Sequence, residues 1–80
     1  MNSESDFPRN DELITINVAF DAMTHFLDAW WRRGGETSDD VAVILGGLDR
    51  TVFVGGGPAD PAFWDDFLNA VDVASRGASQ

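Results

Sequence analysis

The stretch Ile14–Gly35, ITINVAFDAMTHFLDAWWRRGG, carries the strongest structural signal in the chain. Within it Ile16, Phe20, Met23, Leu27 and Trp30 follow one another by steps of four, three, four and three. A helix turns once in about 3.6 residues, so this spacing puts all five on one face. Phe26 and Trp31 widen the stripe. Thr15 or Asn17 offers a side-chain oxygen to the free N–H groups of the first turn. Arg32 and Arg33 stand in the last turn, where cations suit the helix dipole, and Gly34-Gly35 stops the helix. The spacing predicts a helix over residues 16–33.

Downstream the same logic yields two more helices. Thr37 or Ser38 caps a helix over 38–48, with Asp39 and Asp40 in its first turn. Val41, Ile44, Leu45 and Leu48 form its apolar face. Gly46-Gly47 costs this helix about 1 kcal/mol per glycine relative to alanine. Either another backbone packs closely there or the helix ends early, and close packing is the better fit. The third helix, over 60–76, starts with Asp60 as cap and Pro61 in the first turn. Phe63, Trp64, Phe67, Leu68 and Val71 make its stripe, with Ala70 and Ala74 at the margin. Thr51–Val54 reads either as a short strand or as an apolar loop that plugs the core. The fold class is therefore all-α: a small three-helix bundle, with a minor short β pairing of residues 13–16 with 51–54 left open. Residues 1–12 read as a flexible acidic tail, 13–77 as one helical domain and 78–80 as a second tail.

Eighty residues bury a limited core, although six Phe and three Trp let each core position bury a large area. Without cysteine there is neither a disulfide framework nor a thiolate metal site. Fourteen acids against five arginines, and no lysine, give a net charge of −9. Such a field repels nucleic acid and anionic lipid headgroups and speeds encounter with a basic partner. Solubility, a salty cytoplasm or a GC-rich genome would account for the acidity as well. No apolar run reaches the ~20 residues of a membrane helix, and Met1–Asn10 lacks the basic start and apolar middle of a signal peptide. The expected location is the cytoplasm.

Neighbours on a helix diverge by about 100°, so Asp65 and Asp66 cannot face each other across a substrate. Asp72 lies nearly two turns on. A solvated face explains all three better than general acid–base catalysis. His25 is the sole histidine, so a typical zinc site lacks its second imidazole. Asp21 and Asp28 share its helix face, which predicts a His–Asp hydrogen bond but no relay, because neither Thr24 nor Ser38 is tied to it. Gly55-Gly56-Gly57-Pro58 lacks the Lys-Ser/Thr ending of a phosphate loop and reads as a turn. Residues 49–60 fail the alternating acids of a calcium loop. Neither a cofactor nor a metal is expected, and no enzymatic activity. Trp30-Trp31-Arg32-Arg33 places two anchors side by side. They diverge too, so one of them is partly exposed. Trp31 either covers the third helix or serves as a binding hot spot, a role in which Trp and Arg are common.

Two stretches together, AFDAMTHFLDAWWRRGGETSDDVAVILGGLDR (19–50) and PADPAFWDDFLNAV (58–71), resemble the small immunity proteins of bacterial contact-dependent growth inhibition systems. The resemblance rests on order and spacing. Its positions are Phe26, Leu27, Trp30 and Trp31, then Ser38, Asp39, Asp40, Leu45, Gly46 and Leu48, then Asp60, Pro61, Trp64, Asp66, Phe67 and Val71. It implies a non-enzymatic protein that binds and neutralises a cognate toxin domain, often a nuclease. A nuclease is basic where it grips phosphate, and a compact acidic domain can occupy that surface. On this reading Asp39, Asp40, Asp65, Asp66, Asp72 and Trp31 are the expected partner-binding residues. The alternative is a helical adaptor or regulatory module unrelated to toxins.

Overall fold

The computed structural model describes residues 8–78. Three helices succeed one another: α1 (Ile16–Arg33), α2 (Asp39–Leu48) and α3 (Ala62–Ala78). The all-α expectation holds, and none of the three is long and apolar enough to cross a membrane. The expected acidic tail falls outside the described residues as far as residue 7. Residues 8–11 form a turn in which the Arg9 guanidinium grips the Glu12 carboxylate.

Each helix start is a capping event legible in the local chain. Thr15 Oγ1 accepts from the Val18 N–H at 3.1 Å, so Thr15 rather than Asn17 caps α1. Ser38 Oγ accepts from the Val41 N–H at 3.3 Å and opens α2. Asp60 Oδ1 accepts from the Ala62 N–H at 3.0 Å. Asp60 and Pro61 therefore precede α3 rather than belong to it, which moves its start two residues beyond the expected one. At the end of α1, Gly34 N–H donates to Trp30 C=O at 3.1 Å and Glu36 N–H to Trp31 C=O at 2.9 Å. Gly35 takes φ +85° and Glu36 φ +61°. The reversal thus runs through one glycine and one residue that disfavours the left-handed region.

The short β pairing is absent: the described residues contain no strand. Ile16 is the first residue of α1, and residues 51–54 follow a succession of bends. The physical reason lies at Asp49 and Arg50. Asp49 Oδ1 accepts from both the Thr51 N–H (2.8 Å) and the Thr51 hydroxyl (2.6 Å), turning the chain just where a strand would start. Arg50 Nε donates to Gly56 C=O at 2.7 Å and draws the loop back on itself. A lone two-stranded pairing is only marginally stable against such competitors.

The loop then docks on the end of α2. Ala59 N–H donates to Asp49 C=O at 2.8 Å, and Asp60 N–H to Gly47 C=O at 2.9 Å. Both acceptors lie at a helix C-terminus, where carbonyls otherwise lack partners. These bonds bring α3 against α2, and the Phe63 ring lies directly on Gly47. The backbone approach expected at the glycine pair is not found: a side chain packs on Gly47 alone, and Gly46 meets nothing within 4 Å.

Phe20 is fully buried and Leu48 nearly so, with Pro58 beside them in burial. The Phe20 ring meets Trp64 at 5.1 Å and the edge of Phe67 at 5.2 Å, geometries that add about 0.5–1.5 kcal/mol each beyond area. Phe63, Leu68 and Val71 are half-buried, so the α3 stripe faces inward as expected. The α1 stripe is buried only at its middle. Ile16 is 41 % exposed and Trp30 49 % exposed. At about 1.5 Å per residue α1 runs to about 27 Å and α2 to about 15 Å, so α2 is too short to cover the whole stripe.

Candidate interaction surface

The tryptophan pair resolves into two roles. Trp31 is half-buried, and its Nε1–H donates to Ser38 C=O at 3.1 Å. It fastens the last turn of α1 to the cap of α2. Trp30 points outward with Phe26, which is 67 % exposed. Of the two, Trp30 presents the freer surface.

The five expected carboxylates are all solvent-exposed, on two helices. Asp39 and Asp40 occupy the first turn of α2, beside its unpaired N–H groups. Asp65 and Asp66 lie in the opening turns of α3 and Asp72 further along it. Asp65 and Asp66 diverge as successive helix positions must. None of the five takes part in an ion pair among the described residues. The described residues also hold no group of three or more His, Asp or Glu arranged to bind a metal ion.

His25 is exposed, and its ring makes no hydrogen bond among the described residues. The expected His–Asp bond does not form because both aspartates are taken by arginines. Asp28 accepts from Arg32 Nε at 2.9 Å, and Asp21 from Arg50 Nη1 at 3.1 Å. A guanidinium is charged at all pH values of interest and offers five donors, so it outcompetes an imidazole for a carboxylate. The Asp28 carboxylate, with Glu36 behind it, in turn holds the Arg32 pKa above its ordinary value. Thr51 holds the Asp49 carboxyl below its ordinary value through its hydroxyl and its N–H.

Arg50 is the residue that sequence reasoning missed. Besides Asp21 and Gly56, its guanidinium lies 5.8 Å from the Phe20 ring centroid and 5.7 Å from that of Trp64. One cation thus joins α1, the loop and α3. Its sole sequence signal is an isolated arginine just after a helix end, which by itself reads as a surface charge. Together with Trp64 and Phe53 it lines an open cleft of about 480 Å³ floored by Gly55–Pro58, where Gly56 has φ +79°.

A second concavity, of about 340 Å³, runs between the three helices. Met23 and Leu27 of α1, Ile44 of α2, and Phe63 and Phe67 of α3 wall it with carbon, and Asp66 is its one charged lining residue. Such a surface can hold another protein's apolar side chains, but it presents no converging nucleophile, base or oxyanion donor.

Comparison with protein-family models, with curated proteins and with solved structures returned no match.

Proposed function

We propose that the protein works by binding another protein, and that its partner is a basic toxin domain, probed and neutralised in the cytoplasm as immunity proteins do. One observation carries the reading: exposed carboxylates that make no ion pair among the described residues share α2 and α3 with apolar side chains left open to solvent, on a chain of net charge −9. Charge of one sign raises the rate at which an opposite surface is met, and apolar anchors slow its release. The resemblance to the contact-dependent growth inhibition immunity proteins supplies the toxin. No catalytic step is assigned to the protein.

The test is calorimetric titration of the protein with the toxin domain encoded beside it. Binding at low salt that weakens as salt rises is the expected result. Absence of binding at low salt would remove the toxin reading. An adaptor role shares the inter-helix groove as its supporting observation, and co-purification with a regulatory protein instead of a neighbouring toxin would favour it.

A further inference from the structure

On α1 and α2 the large apolar side chains Phe26, Trp30, Val43 and Ile44 are all exposed, and Ile44 opens into the groove between the three helices.

We propose that the inter-helix groove is the docking site for an amphipathic helix of a partner protein, one that carries a lysine or arginine at the edge of its apolar stripe. Lining chemistry and charge select this occupant. The groove walls are apolar side chains from all three helices, which suits the apolar face of an amphipathic helix. Asp66 stands in the lining with no ion pair among the described residues, and a basic residue on the incoming helix supplies one. A second copy of this chain is the poorer occupant. It brings another net charge of −9, and around a two-fold axis it sets like surfaces face to face. This proposal rests on the protein-binding reading but does not require that the partner be a toxin.

Two synthetic 14-residue helices test it by fluorescence anisotropy. Both carry leucines spaced three and four apart on one face; one has lysines flanking the stripe and its twin has glutamates. Wild-type protein is expected to bind the lysine helix at least ~10-fold tighter than the glutamate helix, and to ignore a scrambled lysine peptide of the same composition. Asp66→Lys is expected to weaken the lysine helix by ~10-fold and to strengthen the glutamate helix. Asp11→Lys makes the same change in net charge outside the groove and is expected to alter binding by less than ~2-fold. Circular dichroism of both variants checks that they keep the wild-type fold. Equal weakening by the two variants, equal binding of the scrambled peptide, or sedimentation as a dimer with the groove residues protected would each overturn the proposal. Should the protein bind the neighbouring toxin domain yet ignore the lysine helix, the groove assignment fails and the toxin reading stands.

Discussion

Gly46 and Gly47 sit next to each other in α2, yet alanine is expected to act on them with opposite results. In a helix interior Gly→Ala gains about 1 kcal/mol. Nothing lies within 4 Å of the space a methyl would take at Gly46, so Gly46→Ala keeps that gain. In a domain of this length it raises Tm by about 4–8 °C. A methyl at Gly47 would stand 2.5 Å from Phe63 Cε2 and 2.9 Å from Cζ. The ring must move away from α2, and it is half-buried in the contact that carries α3. Overpacking of this kind costs about 1–3 kcal/mol, which cancels or outweighs the helix gain. The two variants carry the same propensity term, so their difference isolates packing: about 1–3 kcal/mol. Thermal melts followed by circular dichroism at 222 nm measure it. Gly46→Ala should melt above wild type, and Gly47→Ala at or below it. In a Phe63→Ala background the gap should close, as a double-mutant cycle requires for one contact. If both alanines raise Tm alike in the wild-type background, Phe63 does not pack on Gly47 and the seating of α3 described above is wrong.

Arg50→Met removes a charge-assisted bond to Gly56 C=O, the pair with Asp21 and the cation over two rings, and is expected to destabilise by about 2–3 kcal/mol in urea unfolding. Arg50→Lys should recover little of this, since an ammonium lacks the planar fork; full recovery would show that charge alone matters. Trp64→Ala strips the ring against Phe20 and Arg50 and should leave no cooperative melt at 25 °C, while Asp65→Asn with Asp66→Asn, both exposed, should melt within a few degrees of wild type. A collapse of that double variant would make the two aspartates structural. The Asp49 carboxyl titrates below its ordinary value of 3.8, so its stabilising effect is complete above that value and is lost as pH falls beneath it. Asp49→Asn should therefore unfold with a shallower acid slope than wild type below about pH 4; parallel slopes would mean that the Thr51 bonds do not persist in solution.

The chain's local chemistry carried most of the secondary structure. Periodicity placed α1 at its observed bounds, because a five-residue apolar stripe between a threonine cap and a glycine pair leaves no other regular structure. Ser38 and Asp60 likewise announced the other two helix starts. The loop was less legible. Thr51–Val54 has the composition of a strand, and what bends it is a carboxylate two residues upstream and a guanidinium bond to Gly56, neither of which leaves a periodic trace. Among the candidate site residues, the exposure of the five carboxylates followed from helix position. Which tryptophan faces outward did not, since Trp30 and Trp31 have the same chemistry and differ only in the side on which α2 lies.

Three helices, their caps, an acidic surface and an aromatic core are written into the local chain, because each depends on residues within a turn or two of one another. That Phe63 lies on Gly47 and not on Gly46 is a matter of how the helices pack. The same packing gathered Arg50, Phe20 and Trp64 into one cluster, gave Asp21 to Arg50 rather than to His25, and opened a groove beside Asp66. Those outcomes depend on how short α2 is relative to its neighbours and on where two loop N–H groups find carbonyls. Such contacts join residues far apart in the chain, and no local pattern encodes which of several equivalent partners wins.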